Sequence, residues 1–145
     1  MKTAIAYVSE HHGNTKKLLD AIAARYDVDL IDASAHETAD LTNYDRTGFA
    51  SGVAFGKYYP QLLQFMERNL PAGKPVFFLH TAGDPRENHS AAAKAIAEAR
   101  GCACLGVYFC RGFDTYGPFK LIGGIAKGHP NADEIAGAVR FYAGL

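Results

Sequence analysis

Ser9-Glu10-His11-His12-Gly13-Asn14-Thr15 follows directly on the apolar run Ala4-Ile5-Ala6-Tyr7-Val8 and directly precedes a helical pattern. Two adjacent histidines raise the question of a metal site or a catalytic pair. Their neighbours point elsewhere. A chain that leaves a strand and enters a helix presents free backbone N–H groups and the positive end of the helix dipole. Gly13 lets the backbone come close to a ligand, and Ser9, Asn14 and Thr15 add donors. Two adjacent imidazoles without a third ligand coordinate a metal poorly. The stretch therefore reads as a cradle for a phosphate, with His11 and His12 as donors to it or shields over it. The plainer alternative is helix capping with two surface histidines.

The elements around this stretch fit that position. Five apolar runs have strand length: Thr3–Val8, Val28–Ile31, Thr47–Ala50, Pro75–His80 and Leu105–Cys110, of which the third is the weakest. Phe77-Phe78-Leu79 and Gly106-Val107-Tyr108-Phe109 barely alternate, which predicts strands buried on both faces. Between them, Leu18, Leu19, Ile22, Ala23 and Tyr26 share one helical face. Leu62, Leu63, Phe65 and Met66 do so less cleanly, and Ala92, Ala95, Ile96 and Ala99 make a small-residue face. Ile135, Ala136, Val139 and Tyr142 form a last helix, entered through Pro130 and a capping-box spacing from Asn131 to Glu134. Strands alternating with helices predict an α/β domain over residues 1–145, a three-layer sandwich with a five-stranded parallel sheet in the order 2-1-3-4-5. Ligands of such sheets bind beyond the carboxyl ends of the strands, beside strand 1.

Composition narrows the function. The chain has 145 residues, 48% of them hydrophobic, and fifteen basic residues balance fifteen acidic ones. Zero formal charge gives no support to a general nucleic-acid binder. No run is long and apolar enough for a membrane span, and no signal segment is evident, so a cytoplasmic protein is expected. Cys102, Cys104 and Cys110 are expected to be buried small hydrophobes.

The loop is neither a G-x-G-x-x-G fingerprint nor a G-K-[ST] nucleotide loop, and a single phosphate without Mg²⁺ fits better. Ser9-x-x-x-Gly13-Asn14-Thr15 after the first strand resembles the phosphate loop of the flavodoxins, which hold the 5′-phosphate of FMN. Those loops usually carry threonines where this one has His11 and His12. The element order and the tail Gly128-His129-Pro130-Asn131 resemble the same family, so the likeness covers nearly the whole chain.

That resemblance implies further contacts to FMN. The segment Phe49–Tyr58, read as a loop after the third strand, would bring Ser51, Gly52, Val53, Ala54, Phe55 and Gly56 to the flavin. Its Phe55-Gly56 step is similar to the aromatic-glycine step beside the isoalloxazine ring in flavodoxins and related quinone reductases. A peptide able to turn over is expected at Gly56. Thr81, Ala82 and Gly83 would reach the pyrimidine edge. After the fifth strand, Gly112 lies beside Phe113 and Tyr116, either of which would cover the ring.

The function so implied is a small FMN-binding electron-transfer protein that exchanges electrons with redox partner proteins and needs no catalytic residue or metal. An NAD(P)H-dependent FMN or quinone reductase on the same fold is the alternative. The balanced charge favours it somewhat, because flavodoxins that shuttle between enzymes are typically acidic. A receiver domain would need an acidic pair after strand 1 and an aspartate after strand 3, which the chain lacks.

Overall fold

In a computed structural model that describes residues 1–115 and 117–145, the first strand, β1 (Thr3–Val8), runs between two parallel neighbours. On one side lies β2 (Val28–Asp32), with Ile5 opposite Leu30. On the other lies β3 (Arg46–Ala54), with Ala6 opposite Phe49 and Val8 opposite Ser51. A two-residue strand, β4 (Lys57–Tyr58), folds back antiparallel on the end of β3. β5 (Val76–Ala82) and β6 (Cys104–Arg111) continue the parallel sheet, giving the order β2-β1-β3-β5-β6 with β4 off its path. The five parallel strands thus stand in the expected order, and β4 is the addition.

Helices α1 (Asn14–Ala23) and α4 (Ala132–Ala143) cover one face. There Leu18, Leu19, Ile22, Ala138 and Tyr142 close on Ile5, Phe77 and Leu79. Helices α2 (Pro60–Asn69) and α3 (Ala91–Ala99) cover the other. There Leu62, Phe65, Met66, Ala93 and Ala97 close on Ala6, Val8, Phe49 and Phe78. The period-two alternation within β1 and β5 thus feeds two cores, and both strands read as nearly continuous apolar runs for that reason. The capping box of α4 forms as the spacing predicts. Asn131 Oδ1 accepts from the Glu134 amide and Glu134 Oε1 from the Asn131 amide, both at 2.9 Å. Glu134 Oε2 also accepts the amide of Arg111 at the end of β6, at 3.1 Å.

Three expectations need correction. The weakest predicted strand, Thr47–Ala50, is the middle of the nine-residue β3, so Ser51–Ala54 continue a strand and are not loop. Glycine concealed it: a Cβ on Gly48 would stand 2.4 Å from the Phe77 ring, so the absent side chain makes room for its neighbour. Thr81 and Ala82 are likewise the last residues of β5. Second, β6 is an edge strand and is not buried on both faces, with Leu105 and Phe109 exposed. Third, of the cysteines only Cys102 and Cys110 are buried, while Cys104 is exposed on that edge. Burial pushes the Cys110 thiol up to about 12, which leaves it an inert core group.

Candidate functional site

The carboxyl ends of β1, β3, β5 and β6 bring four segments together. The β1 segment turns tightly, with both His12 (φ 58°) and Gly13 (φ 64°) in the left-handed region. Gly13 then stands at the head of α1 with no side-chain cap of its own, and Ser9 Oγ reaches across to accept the Lys16 amide at 3.0 Å. Two buried hydroxyls, Thr15 and Thr81, bond at 2.9 Å and tie the helix start to the end of β5.

The β6 segment closes over this turn through hydrogen bonds and a ring contact. Asn14 Nδ2 donates to the Phe113 carbonyl at 2.9 Å. The Thr115 amide donates to His11 Nε2 at 3.0 Å, and His12 Nε2 lies 3.1 Å from Thr115 Oγ1. The His12 ring also stacks on Phe113, with centroids 4.4 Å apart. Because His11 Nε2 accepts an amide hydrogen, the ring is neutral, and Asp114 Oδ1 at 3.6 Å is a near neighbour and not an ion-pair partner. Burial and the adjacent His12 hold the His11 imidazole below its ordinary range, against an opposing pull from Asp114.

Beneath this clasp is a cavity of about 20 Å³, room for about one water. Ser9, His11, Asn14 and Thr15 line it from β1 and α1, and Gly52, Val53 and Thr81 from β3 and β5. Ala82, Gly83, Gly112 and Phe113 complete it, with Glu10, Tyr59 and Asp114 as residues that the sequence did not single out. Asn14 Oδ1 is buried here without a donor among the described residues.

A second, wider depression of about 590 Å³ adjoins the first and shares Val53, Ala82, Gly83 and Asp114 with it. Ala54, Phe55 and Gly56 line it from the end of β3, and Asp84, His89 and Phe119 from the segments that follow β5 and β6. Pairing of Val53 with Tyr58 and Ala54 with Lys57 leaves Phe55 and Gly56 as a two-residue hairpin tip. Both have positive φ, 54° and 76°, which is the type I′ turn that matches strand twist. Phenylalanine is a strained occupant of that first position, and its side chain is fully exposed. The positive φ expected of Gly56 on peptide turnover is thus its resting state.

The remaining expected residues fall outside these walls or do structural work. His12 and Gly13 form the turn. Ser51 is buried and bridges the hairpin, accepting from the Tyr59 amide at 3.0 Å and donating to the Gly52 carbonyl. Phe113 lines the narrow cavity, while Phe119, which no pattern in the sequence marked, joins Phe55 in lining the wider one. Tyr116 lies outside the described residues. His89 was hidden because a short 3-10 helix, Glu87–Ser90, places it there from beyond β5.

Behind the hairpin, Tyr58 and His80 are buried together. His80 Nε2 donates to the Arg86 carbonyl at 2.7 Å, so Nδ1 is the acceptor for Tyr58 Oη. Burial pushes the His80 imidazole down to about 4 and the Tyr58 phenol well above its ordinary value. Among the described residues, no three His, Cys, Asp or Glu side chains gather as a metal would require, and no helix is long and apolar enough to cross a membrane.

A family model described as a flavodoxin domain matches residues 4–102. The chain is 36% identical, over 97% of its length and 95% of the relative's, to an uncharacterized protein of Methanocaldococcus jannaschii. Its fold is similar to that of a flavodoxin from the domain Archaea, with TM-score 0.70, 18% identity, and 97% and 92% of the two chains covered. It is also similar to flavodoxin 2 from Bacillus cereus, with TM-score 0.66, 20% identity, and coverage of 99% and 96%.

Proposed function

The chain belongs to the flavodoxin family, and on that premise we propose that it binds FMN across the two adjoining depressions and serves as a small electron-transfer flavoprotein. The observation that carries this reading is the wall they share. A polar cradle at the start of a helix borders, at Val53, Ala82, Gly83 and Asp114, a broad groove lined by two phenylalanines. An anion at one end of a ligand and a flat ring at the other suit that shape.

The residues present fit the group. The start of α1 and the Ser9, Thr15 and Thr81 hydroxyls suit the phosphate. Asn14 Oδ1, a buried acceptor, suits a hydroxyl of the ribityl chain that joins phosphate to ring. Phe55 and Phe119 offer flat faces to the isoalloxazine, and the wall of Ala82 and Gly83 leaves backbone groups within reach of its polar edge. When bound, the flavin supplies the redox chemistry, and the protein supplies orientation and polarity around it. His89, Asp84 and Asp114 are the polar side chains placed to act on that polarity.

Redox partner proteins are the expected donors and acceptors. The composition favours a second reading in one respect. The net charge is zero, so the chain as a whole lacks strongly acidic steering. Direct oxidation of NAD(P)H, as an FMN or quinone reductase, is that reading.

One series of measurements tests both. Apoprotein titrated with FMN is expected to take up one flavin with quenched fluorescence and a perturbed visible spectrum. Reduction by dithionite in two one-electron stages, with slow NADH and NADPH oxidation, supports the carrier. Rapid NAD(P)H oxidation with a quinone, in a single two-electron stage, replaces it with the reductase. No flavin binding removes both.

A further inference from the structure

The β6 segment is clasped to the β1 turn beside a cradle with room for about one water. One tie is the Thr115 amide bonded to His11 Nε2 at 3.0 Å. That nitrogen has the Thr115 amide at 3.0 Å, the Thr115 hydroxyl at 3.4 Å and the Asp114 carboxylate at 3.6 Å. A neutral ring accepts from the amide and gains nothing from the carboxylate. A protonated ring can no longer accept the amide, and it is drawn to negative charge. His11 is thus a two-state element whose state decides whether the Thr115 amide is held or free.

Accepting that FMN is the ligand, we propose that His11 selects the phosphorylated flavin by taking up a proton as it binds. The phosphate dianion enters, Nε2 takes one proton from solvent, and the Thr115 amide is released from the ring. Imidazolium and amide then both donate to the phosphate. No electrons move and no covalent bond other than the new N–H is made.

The groups around His11 agree with a ring that is neutral before binding and charged after it. Asp114 on the β6 segment favours the charged form, and Glu10 on its own loop lines the same cavity. The His12 ring, 4.1 Å away, acts in the opposite direction on His11. Tyr59, from the chain entering α2, is the titratable group on the far wall, and β3 and β5 offer uncharged residues there. Burial is the largest influence keeping the ring neutral before the ligand arrives. His12 differs in meeting only the Thr115 hydroxyl of that residue, and not the amide that His11 accepts.

Calorimetry of FMN binding to the apoprotein at pH 7.5, in two buffers of different ionisation enthalpy, counts the protons. A phosphomonoester loses its second proton near pH ~6, so the ligand is a dianion there. About one proton is expected to be taken up per FMN, and none with riboflavin. Dissociation constants for FMN are expected to rise by up to about tenfold between pH 7 and 8, while those for riboflavin stay level. His11→Gln is expected to abolish the uptake and flatten the pH profile. Since that variant could also disturb the fold, the wild-type His11 ring is followed by NMR, and its carbon and proton shifts should move to imidazolium values on adding FMN. Tight FMN binding with no proton uptake, or a His11 ring that stays neutral in the complex, overturns the proposal alone. Failure of FMN to bind at all removes the flavin reading and this inference with it.

Discussion

Tyr58 Oη stands 2.9 Å from His80 Nδ1, and both side chains are shut away from solvent. One comes from the returning strand of the hairpin that carries Phe55, the other from β5. Their bond therefore holds one wall of the groove to the strand that carries the other. Tyr58→Phe should cost about 1–3 kcal/mol, because it leaves a buried imidazole nitrogen without its donor. Urea unfolding of the two apoproteins measures the difference. A loss under ~0.3 kcal/mol would mean that the pair does not hold the hairpin in this way.

His80 also sets a direction for pH dependence. Its imidazole is near 4 when folded and 6.5 when unfolded, so the unfolded chain binds the extra proton between those values. Stability from this residue is whole above pH 6.5 and falls as the pH is lowered toward 4, by about 3 kcal/mol in total. Denaturation midpoints across this range, compared with those of His80→Gln, are expected to show a slope that the variant lacks.

Gly112 guards the cradle. A Cβ there would lie 2.7 Å from Asn14 Nδ2 and 2.9 Å from its Cγ. Gly112→Ala should push the Asn14 amide off the Phe113 carbonyl and lower FMN affinity by tenfold or more, while apoprotein stability drops by only about 1–2 kcal/mol. Flavin fluorescence titration and thermal melting read the two separately. Gly13 differs, since a Cβ there would meet nothing within 4 Å and the left-handed φ alone makes glycine suitable.

Phe55 holds a left-handed conformation and buries nothing. Phe55→Gly should therefore raise apoprotein stability by about 0.5–1 kcal/mol, the strain relieved less the entropy of glycine. The same change should weaken FMN binding, because the exposed ring is then missing from the groove. Opposite signs in melting temperature and affinity are the expected result. A residue kept only for folding would lower both.

Much of the fold was legible because the apolar runs had the right lengths and the loop after β1 marked the switch point of the sheet. What was not legible has physical causes. β3 looked short because Gly48 and Gly52 interrupt its apolar pattern, yet Phe77 and Tyr59 fill the space those glycines leave. The hairpin was read as open loop because its first turn position holds phenylalanine, where Asn, Asp or Gly is the usual signal. β6 passed for a buried strand because aromatic and β-branched residues also suit an edge that helices half cover. In the site, the β1 turn was readable as a local motif. Asp114, His89 and Phe119 were not, because only tertiary packing carries them to the groove.

The amide that Arg111 gives to Glu134 has one more consequence. β6 is a sheet border, and a foreign strand could in principle extend the sheet along it. Any such strand must stop before Arg111, whose hydrogen is already committed to a helix cap. Recruitment of a neighbour by backbone pairing is thereby confined to the end of β6 farther from the groove, and misassembly along this border would leave the groove uncovered.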